Sequence, residues 1–258
     1  MLKLTNITKT FDLTGNASDI RIALDNVSLE ISDGEFVTII GGNGSGKSTL
    51  MNIISGALLP DTGSIEIDNN DVTNLSEHKR AKFLGRVFQD PNMGTAGNMS
   101  ILENMELAFR RDKPKTLKWG FKKEHFNIFL DSLARLNLGL ENRLEQKVRL
   151  LSGGQRQALT LLMATLNKPK ILLLDEHTAA LDPKTAKKVL TLTNDIVTKE
   201  KMTTIMITHN MRDAIRYGNR LIMMYNGKII FDVKGEEKSK LTVEELLDKF
   251  DEQEIDTI

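Results

Sequence analysis

The stretch Gly41-Gly42-Asn43-Gly44-Ser45-Gly46-Lys47-Ser48-Thr49 constrains this chain more than any other. It fits the pattern G-x-x-x-x-G-K-[ST], with Gly41, Gly46, Lys47 and Ser48 at the defining positions. Phe36 to Ile40, just before it, is a short run rich in β-branched residues and reads as a buried strand. Thr49 to Ala57, just after it, has apolar residues at helical spacing. Strand, glycine turn and helix in that order make a cradle. The glycines let backbone N–H groups converge on a phosphate, and the helix N-terminus adds donors and a favourable dipole. Lys47 brings a mobile positive charge for the outer phosphates of a nucleotide, and Ser48 an oxygen for Mg²⁺. A plain glycine-rich turn does not account for Lys47-Ser48 between strand and helix.

Composition sets the surroundings of this loop. With 258 residues the chain can bury a large core as one domain, or as a domain with an insertion. Hydrophobic residues at 40% and charged residues at 27% are ordinary for a soluble globular protein. Lys+Arg and Asp+Glu are both 35, so no overall charge points to nucleic acid, and no nucleic-acid partner is expected. The absence of cysteine excludes disulfides and thiolate metal sites. No apolar run is long enough to span a bilayer, and Met1 to Asn6 has no signal-peptide shape. A role at a membrane therefore needs a partner that supplies the membrane part.

Leu2 to Thr10 alternates apolar and polar residues and reads as a strand ending at Phe11, which either stacks on adenine or is an edge core residue. Asp12 to Asp19 is a polar loop, and Ile20 to Ile31 resumes strand character. Asp33-Gly34 turns the chain into the strand before the glycines, so an antiparallel β layer precedes the nucleotide site. Ser64 to Ile67 and Leu84 to Gln89 are further strands. From Pro91 to Leu151 the β-type runs give way to helical periodicity, notably over Ser100 to Arg111 and Lys122 to Leu138. This is a helical insertion. Lys113 to Lys123 within it is a basic loop with the only tryptophan, Trp119, and is either a solvated face or a docking surface. Met93, Met99 and Met105 follow Gln89 and are either ordinary core or the lining of a partner groove, a use that methionine's adaptable shape suits. Leu221 to Tyr225, Asn226-Gly227 and Lys228 to Val233 form a hairpin, and Thr242 to Phe250 a short amphipathic helix.

Three further stretches carry chemistry. Ile171 to Leu174 is a continuous apolar run ending in Asp175-Glu176, as in a central parallel strand covered on both faces. Carboxylates at such a strand end sit where open α/β sheets bind ligands. Asp175 can hold Mg²⁺ through its water shell and Glu176 can polarise a water; two solvated acids are the plainer reading. Thr203 to Ile207 is a strand whose end places His209 at the same edge, within reach of phosphate, and Asp182-Pro183 reads as an N-cap and a first helical residue. In Leu151-Ser152-Gly153-Gly154-Gln155, Ser152 caps a helix and Gln155 reaches back. That capping box leaves Gly153 and Gly154 unexplained, since each weakens a helix by up to ~1 kcal/mol. They make sense where a ligand approaches the backbone, which gives a second anion site. One chain has one phosphate loop, so a second copy is a source of that phosphate.

Gly41–Thr49, Gln89, Leu151–Gln155, Ile171–Glu176, Asp182 and His209, in this order, resemble the nucleotide-binding subunit of ATP-binding cassette (ABC) transporters. The resemblance runs from about Leu2 to Val233, and Leu-Ser-Gly-Gly-Gln after a phosphate loop is highly specific. It implies that Gly42, Asn43, Gly44, Ser45, Gly46, Lys47, Ser48 and Thr49 hold ATP, and that Phe11 stacks on its adenine. It implies Ser48, Gln89 and Asp175 as Mg²⁺ residues, with Gln89 also touching the attacking water and sensing the membrane partner. Glu176 would be the general base and His209 would reach the γ-phosphate. Ser152, Gly153 and Gly154 would clamp the γ-phosphate on a second copy, and Asp182 would touch that copy's site. Family members often have Pro where His177 stands, and Tyr where Phe11 stands. The run Glu176 to Asp182, with the basic loop of Arg110 to Gly120, resembles a bacterial subgroup serving importers with an external binding protein. Some of these take up tryptophan or other aromatic amino acids.

The fold expected is α/β: a P-loop NTPase core with a mostly parallel sheet, an antiparallel β layer and a helical insertion. Residues 1–90 and 152–235 form the nucleotide-binding core, 91–151 the helical subdomain, and 236–258 a C-terminal helix and tail. The function expected is an ATPase that dimerises on ATP and drives solute through integral-membrane permease subunits, working peripherally at the cytoplasmic face of the cell membrane. Import is favoured. An exporter subunit or a non-transport ABC ATPase is the alternative; the latter usually carries two cassettes or long coiled-coil insertions, which this chain lacks. A P-loop kinase or GTPase would not need Leu151–Gln155.

Overall fold

A computed structural model describes residues 1–12, 20–111 and 123–255. Of the loop expected over Asp12 to Asp19, Asp12 is instead the last residue of the first strand; residues 13–19, most of the basic loop with Trp119, and the last three residues of the tail lie outside the described residues. The chain opens with β1 (Leu2–Asp12) and β2 (Ile20–Ile31), then β3 (Phe36–Gly41), α1 (Lys47–Ser55), β4 (Thr62–Ile67), β5 (Asn70–Asp71) and the single turn α2 (Glu77–Arg80). It continues through β6 (Leu84–Val87), α3 (Ile101–Phe109), α4 (Lys123–Ala134), α5 (Gly153–Thr165), β7 (Ile171–Asp175) and α6 (Pro183–Glu200). It closes with β8 (Thr204–Ile207), α7 (Met211–Arg216), β9 (Arg220–Tyr225), β10 (Lys228–Lys234), α8 (Glu236–Lys240) and α9 (Val243–Ile255). Two compact units result, Met1–Arg80 with Lys201–Ile258, and Ala81–Glu200.

In the first unit, β1 pairs antiparallel with both β2 and β4, and β5 extends the layer. Alternation buries Leu2 and Leu4; Ile7 is buried too, at odd spacing, beyond a register irregularity of the β1–β2 ladder next to Asn6, whose φ is 53°. Strand β3 lies between β8 and β9, parallel to both, and all six of its residues are buried. β9 and β10 form the expected hairpin, with Asn226 at φ 44° and Gly227 at φ 77°. Two successive left-handed residues match the twist of the strands they join. The sequence pattern missed α2, α7 and α8, which are too short to show a period.

Two buried cations pin helix ends in this unit. Arg80 donates to the carbonyls of Ile53 (2.5 Å) and Ile54 (3.1 Å) at the C-terminus of α1, and to those of Leu75 and Thr73. Lys238, only 2% exposed, donates to the carbonyls of Ile215 (3.2 Å) in the last turn of α7 and of Tyr217 and Gly218 (2.9 Å) just past it. Burial pulls its pKa down to about 8, so it is still charged at neutral pH. Lys238→Met keeps the stem but strips three acceptors of their donor. It should cost about 1–3 kcal/mol and lower the Tm by roughly 2–6 °C in a thermal melt; an unchanged Tm would show that water replaces the ammonium without loss.

In the second unit, β6 and β7 pair in parallel, from Leu84–Ile171 to Val87–Leu174. The helical insertion is present as α3 and α4, joined to α5 by two 3₁₀ turns at Leu140–Asn142 and Val148–Leu150. Its core gathers Leu102, Met105, Phe129, Leu133, Leu159 and their neighbours. Met105 is fully buried there, so of the three methionines it is core; Met99 is half-buried and Met93 is 70% exposed. Among the described residues no helix is long and apolar enough to cross a membrane.

Candidate functional site

Within the first unit the glycine loop leaves β3 and enters α1. Lys47, although charged, is buried, and its Nζ donates to Gly41 O (2.9 Å), Gly42 O (2.8 Å) and Ser45 Oγ (3.3 Å). The ammonium is thus folded over its own loop. Two glycines are required by close approach: a Cβ on Gly41 would lie 2.4 Å from Met224 O, and one on Gly46 2.5 Å from Ala23 O. The hairpin tip closes the other side, with Gly227 N donating to Ser45 O at 3.0 Å. The N-cap of α1, Gly46, brings no side chain to the N–H groups of its first turn, which leaves them to water or a ligand. Phe11, half-buried, pairs across the β1–β2 ribbon with Arg21, whose Nη2 donates to Gly44 O at 3.4 Å. His209 follows β8, and Thr208 N donates to Ile39 O on β3 at 3.2 Å. The glycine loop and exposed His209 therefore share the C-terminal edge of parallel strands.

Within the second unit, Gln89 follows β6 and Asp175-Glu176 end β7, again at one C-terminal edge. Asp175 accepts from Arg86 Nη2 at 3.1 Å. Gln157 on α5 is buried and donates to Phe88 O at 3.1 Å, tying α5 to the segment that carries exposed Gln89. Glu176 has φ 44°, left-handed backbone uncommon outside glycine. His177 is 2% exposed, and burial holds its imidazole down to about 4, so it is neutral.

Ser152 is the N-cap of α5, accepting from Gln155 N at 3.3 Å, while Gln155 Oε1 accepts from Ser152 N at 3.1 Å. The capping box is formed as read. Gly154 has an additional, internal reason: a Cβ there would meet Thr185 Cγ2 of α6 at 2.2 Å. The glycine lets two helix N-termini approach each other, which the sequence could not show. Asp182 caps α6, accepting from Thr185 N at 3.0 Å; hydrogen bonds from Thr185 hold its carboxyl below the usual range. Beside Ser152, Gly154 and Thr185 opens a groove of ≈ 830 Å³ that is also lined by Arg135, Lys184, Lys187, Lys188 and Asp195. Its charge balance is positive.

The donor chemistry fits Mg²⁺. Among the described residues no cluster of three His, Cys, Asp or Glu could hold a metal by itself. The hydroxyl of Ser48 in the first unit, and the carboxylate of Asp175 and the amide of Gln89 in the second, are each oxygen donors of the kind Mg²⁺ takes one or two at a time, beside substrate phosphates. Sequence reasoning missed Arg86 and Gln157. Arg86 had a visible signal, a lone cation inside the apolar run Leu84 to Val87; Gln157 had none.

Comparison with known proteins places this arrangement. The family described as ABC transporter matches residues 24–179, more than half of the chain. A tyrosine transport ATP-binding protein of Clostridioides difficile is 48% identical over 252 residues, 97% of this chain and 99% of that protein. The methionine import ATP-binding protein MetN of Histophilus somni is 35% identical over 89% of this chain, which spans 64% of its length. Among solved structures, the ATP-binding cassette MJ0796 of Methanocaldococcus jannaschii, a dimer in a post-hydrolysis state with ADP and Pi, superposes with a TM-score of 0.76. That match has 34% identity and covers 91% of this chain and 98% of that one. The chain belongs to the ABC transporter family. It is an ABC ATPase, an α/β P-loop cassette whose hydrolysis is coupled to transport.

Proposed function

We propose that this chain is the ATP-hydrolysing subunit of a bacterial importer for an aromatic amino acid, held at the cytoplasmic face of the membrane by permease subunits and supplied by an external binding protein. The observation that carries the solute class is the 48% identity to a tyrosine transport ATP-binding protein along nearly the whole of both chains. We keep the functional division of 1–90 with 152–235 as nucleotide core, 91–151 as helical subdomain and 236–258 as C-terminal helix and tail.

In this reading the glycine loop and Lys47 bind the ATP phosphates and Phe11 stacks on adenine. Ser48, Asp175 and Gln89 would hold Mg²⁺, which neutralises charge on the phosphates when bound. Gln89 orients the attacking water and Glu176 takes its proton. The water oxygen then bonds to the γ-phosphorus as the bond to the β-phosphate oxygen breaks, and ADP and phosphate leave. His209 contacts the γ-phosphate. Positioning and charge carry the acceleration, as in other phosphoryl transfers. Ser152 to Gly154 close on the γ-phosphate held by a second copy, and Asp182 meets that copy.

Met93 is the candidate for the permease contact. Arg156 bridges its neighbour Asn92 to Arg149 O (3.0 Å), beside Leu150, which is 64% exposed. Met93 and Leu150 thus flank one bridge as exposed apolar side chains on the segments next to Gln89 and Ser152. Met93→Glu should leave ATP binding by the isolated subunit unchanged and reduce co-purification with the permease; equal recovery would move the contact elsewhere on the insertion. The solute is tested by reconstituting the complex purified from native membranes into liposomes. ATP-dependent uptake of tyrosine or tryptophan is expected. Uptake of methionine alone would overturn the solute class, and ATP-driven efflux would overturn import.

A further inference from the structure

We propose that His177 is a positioning residue: its hydrogen bond to Thr193 holds the turn that aims Glu176 during hydrolysis. The inference rests on the reading of Glu176 as the base. Between β7 and α6 the chain must turn sharply, and it does so with Glu176 at φ 44° and with Ala179 N donating to Glu176 O at 2.9 Å. Left-handed backbone at a non-glycine residue persists only where its surroundings over-determine it. Across residues 176–182 only one side chain is buried, that of His177. The turn therefore has a single side-chain anchor in the interior.

The anchor is directional. His177 Nε2 lies 3.0 Å from Thr193 Oγ1, and Thr193 Oγ1 lies 2.9 Å from Val189 O, both inside the 18-residue α6. A carbonyl only accepts, so the one hydroxyl proton of Thr193 is committed to Val189. Thr193 must then accept from His177, which assigns the Nε2–H tautomer. The bond runs one way, from turn to helix, and ends on a helix-interior residue that is itself buried. A proline at position 177 would fix its own φ covalently. Histidine has no such restraint, and the bond to Thr193 takes its place. Glu176 is thereby held by a side chain one residue away that is buried against α6.

The test is steady-state ATPase kinetics on the full chain, with nucleotide affinity and thermal melting measured on the same samples. Thr193→Val removes the acceptor at nearly constant shape, and should lower kcat about tenfold or more with KM and ATP affinity near wild type, because only the reacting geometry is loosened. Thr193→Ser keeps the hydroxyl and should stay within about twofold of the wild-type kcat on the same argument. His177→Gln can place a donor near Nε2 and should recover most of the rate, whereas His177→Asn is too short to reach and should not. A purely structural role would lower the melting temperature in these variants without separating kcat from KM. Wild-type kcat in Thr193→Val, or equal kcat in His177→Gln and His177→Asn, overturns the proposal; the second pair decides should Thr193→Val fail to fold. Glu176→Gln, run in parallel, separates the two readings: if it turns over normally, the base assignment fails whatever His177 does.

Discussion

Glu176→Gln should lower ATP turnover by about 10²- to 10⁴-fold, the range for removing a general base, while ATP affinity stays within about twofold. The amide keeps the size and the hydrogen-bonding reach of the carboxylate but cannot take the water's proton. Nothing in the phosphate cradle changes, since the loop is built by Gly41, Gly46 and Lys47 with the backbone of Ala23, Met224 and Gly227 against it. Lys47→Ala should act in the opposite way. The ammonium already sits over the loop carbonyls at 2.8 and 2.9 Å, and its loss removes the cation proposed to meet the phosphates. ATP binding itself should fall by about tenfold or more, the worth of one charged hydrogen bond. Phosphate release and fluorescent-nucleotide titration separate the two effects. Wild-type turnover in Glu176→Gln would place the base elsewhere.

The parts of this fold that could be read in the sequence are those written in local pattern. The loop at Gly41–Thr49, the Asn226-Gly227 hairpin, the Asp182-Pro183 start of α6 and the Ser152–Gln155 capping box each need only a few consecutive residues, and each is formed. What was hidden depends on partners distant in sequence. Arg86 meets Asp175 only through the register of β6 on β7. Gly154 faces Thr185 only because two helix starts pack together. Met93 and Met105 are the same residue type a dozen positions apart, one exposed and one core, and only packing separates them. His177 was visible as a departure from the family pattern, but its burial and its bond to Thr193, sixteen residues on, were not. Glu176 carries no glycine signal, so its left-handed backbone was equally silent.

With saturating Mg²⁺-ATP, Glu176→Gln should migrate as a dimer in size-exclusion chromatography or light scattering, and the same protein carrying Ser152→Arg should remain a monomer. The reason lies at the start of α5. A helix N-terminus presents backbone donors and a partial positive charge, and here the groove beside it adds Arg135, Lys184, Lys187 and Lys188 against one Asp195. Such a surface attracts phosphate, and each chain carries a single phosphate loop, so in the proposed arrangement a second copy completes the pair. Blocking hydrolysis keeps the γ-phosphate in place and so prolongs the closed state. Ser152→Arg puts a long side chain where that phosphate must come. It also removes the cap that accepts from Gln155 N, a loss of about 1 kcal/mol in helix stability. Ser152→Ala separates the two contributions, because it loses the same cap without the bulk, and should still dimerise, at higher ATP. If Ser152→Ala and Ser152→Arg fail equally, the cap and not the phosphate contact is responsible. A Glu176→Gln protein that stays monomeric at saturating ATP, even with its permease bound, would sink the two-copy arrangement.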